Sequence, residues 1–251
     1  MRSETRPNAK PETVTCKLKK LKMLKKTTLL ILIFILSSCS SQENDKKYYY
    51  QIGKEKKVQI FKFVDKNNLK NIEYWKVTSN PQTNKILTES FTSDLRLYNL
   101  FEEEFKTDGT EIIRYADFEV NENGQNIKIE GIIADDDVYK WSDNNKYSYS
   151  VKYTNPKYGN ELFTKKRTKN KFENININGI VYSTLKFKDE YEIKSLEKNQ
   201  KYEFYQYTYY ANGIGMVKYL RYHPDGTIIE LELTDTLTET EFDKLKEKAS
   251  R

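Results

Sequence analysis

Asn-Gly and Asp-Gly pairs are the feature that most constrains the fold of this 251-residue chain. Five of the nine glycines directly follow Asn or Asp, namely Gly109, Gly124, Gly179, Gly213 and Gly226. Such pairs adopt the positive φ angles that tight β-hairpin turns require. The chain is therefore predicted to reverse direction repeatedly between neighbouring antiparallel strands. Gly213 is expected to take a left-handed turn, and Gly215 to allow a close approach of backbone.

The segments between these turns alternate apolar and polar residues, as half-buried strands do. Residues 127–133 and 147–153 alternate in this way. Two hairpins are predicted, one pairing 111–120 with 125–133 and the other pairing 216–222 with 227–233. Residues 95–105 fit either a strand or one face of a helix.

One helix is predicted, at the C-terminus. Thr238 and Glu241 have the spacing of a capping box, and Leu237 before the cap can contact Phe242. A helix of this length is only marginally stable on its own, and we therefore expect it to pack on a sheet. The predicted fold is all-β: a curved antiparallel sheet or partial barrel with a C-terminal α-helix.

Residues 29–36 are eight consecutive apolar residues behind Lys25 and Lys26. A helix that crosses a bilayer needs roughly 20 apolar residues. This run is therefore too short to span and has the layout of a signal peptide.

The run ends in Leu36-Ser37-Ser38-Cys39, which resembles the lipobox of bacterial lipoproteins. The resemblance implies cleavage between Ser38 and Cys39 and a diacylglycerol anchor on the Cys39 thiol. It also implies an acyl chain, such as palmitate, on the new amine. Two or more acyl chains anchor a protein stably, whereas one chain binds only marginally.

These features divide the chain into a leader and signal peptide (1–38), a lipidated polar tether (39–47) and a β-rich domain (48–251). Both Met1 and Met23 remain candidate start residues, and a division of the domain into sub-sheets 48–165 and 166–251 also stays open. The tether is similar to tracts that send lipoproteins to the cell surface. In the lipoprotein sorting scheme an Asp directly after the lipidated cysteine retains the protein at the inner membrane, and this chain has Ser40 at that position. We expect a cell-envelope protein anchored to the outer membrane, with surface exposure as a further hypothesis.

The positive charge of the whole chain comes from the leader. Nine of the 43 Lys and Arg residues and two of the 37 Asp and Glu residues precede residue 39, which leaves 34 basic and 35 acidic residues. Nucleic-acid binding needs a net basic surface, so no nucleic acid is predicted as a partner. The basic run at 165–169 is interpreted as a solvated strand or turn.

Two stretches resemble the C-terminal part of uncharacterised bacterial envelope lipoproteins. They cover residues 172–193 and 209–233. The matching positions are Gly179, Tyr182, Leu185, Tyr210, Ala211, Gly213, Gly215 and Val217. The resemblance implies a partial β-barrel broadly like the lipoprotein carriers of the envelope, and it implies no activity. Residues 48–165 carry no such resemblance.

No catalytic constellation is visible, and no cofactor is predicted. His223 is the single histidine and lies in a predicted turn, so a turn residue is favoured over a catalytic base. Asp135, Asp136 and Asp137 are weak calcium candidates, interpreted as solvated residues of a loop.

Aromatic residues are the largest candidate binding feature, since all 20 tyrosines follow Cys39. The candidate ligand-binding residues are Trp75, Trp141, Tyr149, Tyr207 and Tyr209. We predict a non-catalytic envelope protein that binds a lipid or another hydrophobic or acylated ligand. The alternatives are an interaction or scaffold lipoprotein without a small ligand and, less favoured, a hydrolase. Its expected partners are membrane lipid, through Cys39, and an envelope protein.

Overall fold

The computed structural model describes residues 45–141 and 145–249. Thirteen strands and one helix follow each other along the described chain. They are β1 (Lys57–Asp65), β2 (Ile72–Asn80), β3 (Lys85–Phe91), β4 (Leu97–Phe105), β5 (Gly109–Val120), β6 (Asn126–Glu130), β7 (Ile132–Lys140), β8 (Lys146–Asn155), β9 (Gly159–Ile177), β10 (Ile180–Ser195), β11 (Lys201–Ala211), β12 (Gly215–Tyr222), β13 (Ile228–Leu237) and α1 (Glu239–Ala249).

Twelve of these strands close into an antiparallel barrel. Apart from β6 and β7, successive strands pair with each other, and β13 returns to pair with β1. The ring closes because β5 pairs with β4 on one side and with β7 on the other. The remaining strand, β6, extends β5 as a hairpin. Closure leaves no free sheet edge in the ring, which removes the usual site of edge-to-edge aggregation.

The two ends of the barrel differ. At one end, called here the plugged end, the N-terminal segment enters between the β4–β5 and β11–β12 turns. Gly213 N–H donates to Lys47 O at 2.8 Å, and Tyr139 Oη donates to Asp45 O at 3.2 Å. The far end carries the β1–β2, β3–β4, β5–β6, β8–β9, β10–β11 and β12–β13 connections.

Three consecutive tyrosines, Tyr48, Tyr49 and Tyr50, form the plug, and all three are buried. The Tyr49 ring lies 4.3 Å from that of Tyr139 and 5.5 Å from that of Tyr210, measured between centroids. Burying an aromatic side chain is worth roughly 1.5–3 kcal/mol, so the plug contributes to the core.

Gly215 makes room for this plug. Its φ is 101°, and a Cβ there would overlap the Tyr50 ring. A close approach at Gly215 was expected from another backbone segment. The structure has a close approach there, but it is made by the side chain of Tyr50. Gly213, with a φ of 77°, takes the predicted left-handed turn.

Helix α1 packs on the outside of the barrel. Thr238 Oγ1 and the Thr238 amide both donate to the Glu241 carboxylate at 2.8 Å, which confirms the capping box. Phe242 is fully buried against Tyr74 and Phe91, whose ring centroids lie 5.7 and 5.2 Å away.

The all-β fold with a C-terminal helix is confirmed, as are both predicted hairpins, and residues 97–105 form a strand. The prediction was a curved sheet or partial barrel, whereas the strands of the structure form a closed barrel. The division at 165/166 falls inside β9, so both halves share one sheet. Asp45, assigned to the polar tether, is buried and pairs with Lys169. Among the described residues, no helix has the length and apolar character needed to cross a membrane.

Candidate functional site

The barrel encloses a cavity of about 250 Å³. Its wall combines aromatic rings with polar and charged side chains drawn from strands all around the barrel. The charged residues of the wall are Glu103, Asp117, Lys165, Arg167 and Arg221. An apolar cavity stays dry, whereas polar groups such as these need water or a ligand as hydrogen-bond partners.

Strand β9 supplies two of the cations. Successive residues of a strand point to opposite faces, so Lys165 and Arg167 share the inner face. Arg167 binds Asp189 on β10 with both prongs of its guanidinium, Nε to Oδ1 at 2.6 Å and Nη2 to Oδ2 at 2.8 Å. Its Nη1 donates to Tyr210 Oη at 3.2 Å. Asp189 and Arg167 are both almost completely shielded from solvent.

Lys165 shares the same aspartate, with Nζ 3.2 Å from Asp189 Oδ2. Burial, together with the neighbouring Arg167 charge, lowers the pKa of Lys165 to about 8. Burial alone would raise the pKa of Asp189, but Arg167 and Lys165 hold it below its usual range. Lys165 is therefore a cation at neutral pH that is close to losing its proton.

A polar chain leads from this aspartate to a third cation. Thr208 Oγ1 donates to Asp189 Oδ2 at 2.7 Å, and Gln206 Nε2 donates to Thr208 Oγ1 at 2.9 Å. Arg221 Nε donates to Gln206 Oε1 at 3.0 Å. Among the residues that the structure describes, no carboxylate lies within ion-pair distance of Arg221. Its guanidinium instead packs over the Tyr219 ring at 4.9 Å.

Two carboxyl groups, those of Glu103 and Asp117, also belong to the cavity wall. Burial raises the pKa of Glu103, which accepts hydrogen bonds from Tyr49 Oη and Thr110 Oγ1 at 2.6 Å each. Burial also raises the pKa of Asp117, which accepts from Asn99 Nδ2 and Tyr115 Oη. Three cations thus face the cavity, and among the described residues Asp189 is the one carboxylate within ion-pair distance of them.

A cleft of about 670 Å³ lies at the far end of the barrel. Its wall includes Glu119, Tyr153, Tyr158 and Tyr202, and Asp117 belongs to both this cleft and the inner cavity. The far-end cleft and the inner cavity therefore share Asp117 in their walls, while the tyrosine plug occupies the other end.

The structure separates the five predicted ligand-binding aromatics. Trp75 and Tyr149 line the inner cavity. Trp141 lies at the plugged end, where its Nε1 donates to Thr107 O at 2.8 Å. Tyr207 and Tyr209 alternate with inward-facing Gln206 and Thr208, so they lie on the outer face of β11. Two of the five are therefore placed to contact a ligand in the cavity, and the ligand role of the set stays a prediction.

The weak calcium candidates lie in a strand. The interpretation of Asp135, Asp136 and Asp137 as loop residues is wrong, because all three belong to β7 and Asp135 and Asp136 pair with β8. Carboxylate oxygens of Glu111, Asp136 and Asp137 lie within 4.8 Å of one another. Lys140 Nζ lies 2.6 Å from Asp137 and neutralises part of this cluster.

His223 lies in the predicted β12–β13 turn. Its Nδ1 is 2.7 Å from Tyr202 Oη, and its ring stacks on Phe204 at 5.4 Å. Burial lowers the pKa of His223, with a further contribution from Arg221. Within the described ranges no serine or cysteine hydrogen bonds to this ring. The lipidation and cleavage residues Cys39 and Ser38 lie outside the described residues.

The sequence analysis did not predict that cations line the cavity, because it interpreted residues 165–169 as a solvated strand or turn. A usable signal was present: Lys165, Arg167 and Lys169 recur at every second position, and one face of a strand holds all three. In a closed barrel that face points inward. Arg221, Gln206 and Asp189 carried no comparable signal.

Comparison of the sequence with protein-family models gives no match, and comparison with curated proteins gives none either. Two solved structures are similar in fold. One is a predicted lipoprotein from Parabacteroides distasonis, with a TM-score of 0.43 over 76% of this chain and 95% of that chain. The other is a predicted exported protein with YmcC-like fold from Bacteroides fragilis, with a TM-score of 0.48 over 76% of this chain and 99% of that chain.

Both proteins are 12% identical in sequence to this chain. At this identity and these TM-scores the likeness concerns overall shape, and it transfers no residue role or activity.

Proposed function

We propose that this protein is a lipid-anchored, non-catalytic envelope protein that binds a small anion inside its barrel. The observation that carries the proposal is the group Lys165, Arg167 and Arg221. These three cations face one cavity, and among the described residues Asp189 is the one carboxylate within ion-pair distance of them. A carboxylate, sulfate or phosphate group accepts hydrogen bonds from such donors in a low-dielectric site.

The cavity limits the size and polarity of the ligand. About 250 Å³ is below the roughly 300–1,000 Å³ of pockets for drug-sized molecules. An acyl chain would bring no hydrogen-bond acceptor to the charged side chains of the cavity wall, whereas an anion would. The predicted hydrophobic ligand is therefore the weaker form of the binding hypothesis, and a small polar anion is the stronger.

The anchoring half of the proposal rests on the sequence. Cys39 follows an apolar run at the position of a lipobox cysteine, and it precedes Asp45 by only six positions. Acylated Cys39 holds the plugged end towards the membrane, and the far-end cleft then faces away from it. The proposal extends to the outer membrane, because Ser40 stands after Cys39 where an Asp would retain a lipoprotein at the inner membrane.

The experiment is native mass spectrometry of residues 39–251, purified gently from cells. We expect a small anionic mass that is retained by the wild type and by Lys188→Met, which changes an outward-facing lysine on β10. The combined Lys165→Met and Arg221→Gln variant should lose that mass. A lipid mass in its place would support the hydrophobic ligand, and an unliganded mass in every preparation would support an interaction protein.

A further inference from the structure

Asp117 and Arg221 lie on opposite walls of the inner cavity. Without the β6 extension the barrel is a ring of twelve strands. Strand β5, which carries Asp117, is six strands away from β12, which carries Arg221, in either direction around this ring. Both residues line the same cavity. A ligand inside the barrel therefore has a carboxyl group on one side and a guanidinium on the other.

Asp117 has neutral hydrogen-bond partners in the structure. Its Oδ1 accepts from Asn99 Nδ2 at 2.8 Å, and its Oδ2 accepts from Tyr115 Oη at 2.9 Å. Burial raises the pKa of Asp117, and the charge of Glu119 adds to this effect. Among the described residues, no basic side chain lies within ion-pair distance of this carboxyl group. A cation brought by a ligand would offset the cost of burying its charge.

Arg221 has the same kind of surroundings on the cationic side. Its Nε donates to the neutral amide of Gln206 at 3.0 Å. Glu73 acts on this guanidinium through its charge but lies beyond ion-pair distance of it. The Glu73 carboxylate instead accepts a hydrogen bond from Tyr219 Oη at 2.8 Å. Within the described ranges, Asp117 and Arg221 are thus two opposite charges that face one cavity, and neither has an ion-pair partner.

Aromatic rings surround the Asp117 side of the cavity. The Phe101 ring meets the Tyr115 ring edge to face, with centroids 6.5 Å apart, and the Tyr149 ring lies 5.4 Å from that of Phe101. All three rings line the cavity, and Tyr115 is the hydrogen-bond donor to Asp117. A cation over the face of such a ring is stabilised by the ring quadrupole. This side of the cavity therefore suits an ammonium group.

We propose that the ligand of the inner cavity is a small zwitterion, whose anionic group binds Arg221 and Lys165 and whose ammonium group binds Asp117. This inference rests on the proposed anion site and narrows it to one class of ligand. A zwitterion brings a counter-charge to both walls, and each contact is a charge-assisted hydrogen bond. A simple anion would leave Asp117 with neutral partners alone. The cavity volume of about 250 Å³ requires a short chain between the two charged groups.

The test is isothermal titration of residues 39–251, which contain every described residue, at pH 7 and constant ionic strength. The probes are three matched pairs: glycine and acetate, γ-aminobutyrate and butyrate, and ε-aminocaproate and caproate. The members of a pair have the same chain length and differ by the ammonium group. Three lengths are used because the ligand must reach from one wall to the other. Sulfate is titrated in parallel as the probe of the anion site alone.

We expect the amino acid of at least one pair to bind at least tenfold more tightly than its matched acid. Equal or tighter binding of the matched acid in every pair would overturn the zwitterion and leave the anion site in place. Binding of sulfate without binding of any amino acid would overturn it in the same way. Failure of sulfate and of all six probes would instead overturn the proposed anion site itself.

Asp117→Asn identifies the group that binds the ammonium. The amide can keep both hydrogen bonds, since its oxygen accepts from Asn99 and its nitrogen can donate to Tyr115 Oη, so the fold should survive. The preference for the amino acid should fall below threefold in this variant and persist in Glu130→Gln, which changes an exposed carboxylate of β6. Arg221→Gln should weaken both members of the pair. An unchanged preference in a folded Asp117→Asn protein would overturn the assignment.

Discussion

Arg167 on β9 binds Asp189 on β10 through two hydrogen bonds of 2.6 and 2.8 Å inside the barrel. Both side chains are almost completely shielded from solvent, and Thr208 and Lys165 complete the coordination of the carboxylate. Removing one partner of such a pair leaves a buried charge uncompensated, which costs far more than a surface ion pair is worth. The barrel therefore depends on both partners being present, and Asp189 fixes the position of Lys165.

We expect Asp189→Asn to lower the free energy of unfolding by about 3–5 kcal/mol, because Arg167 and Lys165 lose their common counter-charge. Urea denaturation checks this. The matched control is Lys188→Met, which breaks the exposed Lys188–Glu190 pair and should change the free energy of unfolding by less than about 1 kcal/mol. Equal effects of the two substitutions would contradict the structural role of the buried pair.

The pKa of Lys165, about 8, makes two pH dependences measurable. Between pH 7 and pH 9 the folded protein loses the Lys165 proton, so the affinity for sulfate should fall over that range in the wild type. In Lys165→Met the affinity should be lower and nearly independent of pH. An affinity that falls equally in both proteins would assign the pH dependence to another group.

The same shift bears on stability. The unfolded chain keeps the Lys165 proton up to about pH 10.4, whereas the folded protein loses it near pH 8. Stability rises with pH wherever the unfolded state binds more protons. The wild type should therefore gain stability relative to Lys165→Met between pH 8 and pH 10, measured as the difference in free energy of unfolding. A difference that falls over that range would show that the pKa is not lowered.

Gly215→Ala should expel the Tyr50 ring from the plugged end. The new methyl group overlaps that ring, and the left-handed backbone adds strain. Gly213→Ala is the matched control, since its φ is also positive but no atom lies within 4 Å of the position that a Cβ would take. We expect a loss of about 1–2 kcal/mol for Gly213→Ala and a further loss of about 1–3 kcal/mol for Gly215→Ala, by urea denaturation. Equal losses would mean that the Tyr50 ring moves aside without lowering the free energy of unfolding.

Phe242→Ala tests the docking of α1. Phe242 is fully buried between Tyr74 and Phe91, so its truncation should lower the free energy of unfolding by about 3–5 kcal/mol. Lys244→Ala, an exposed change on the same helix, should stay within about 0.5 kcal/mol. A small effect of Phe242→Ala would show that the helix is dispensable for the barrel.

Local signals in the sequence were sufficient for most of the fold. Turn glycines and period-two alternation predicted the strands, and the Thr238–Glu241 spacing predicted the helix. Closure of the barrel had no local signal, because it depends on β13 meeting β1 and on β5 turning from β7 to β4. Such contacts join residues far apart in the chain and follow from the summed twist and tilt of all the strands.

The site was harder to predict because a bulge sets its register. Counting back from the Asn178-Gly179 turn places Arg167 opposite Glu190. The structure shifts the pairing by one residue between Lys186 and Phe187, so Arg167 lies opposite Asp189. A one-residue slip exchanges the two faces of a strand, so the inner ion pair cannot be found by counting alone. The plug was missed for a related reason, since Tyr48, Tyr49 and Tyr50 show no alternation.

The most direct measurement of the central claim is isothermal titration of sulfate into residues 39–251 at pH 7 and constant ionic strength. The barrel cations predict saturable binding of one sulfate per chain. The combined Lys165→Met and Arg221→Gln variant should bind at least tenfold more weakly, while Lys188→Met should match the wild type. Absence of saturable binding in the wild type, or equal binding in the double variant, would contradict an anion site inside the barrel.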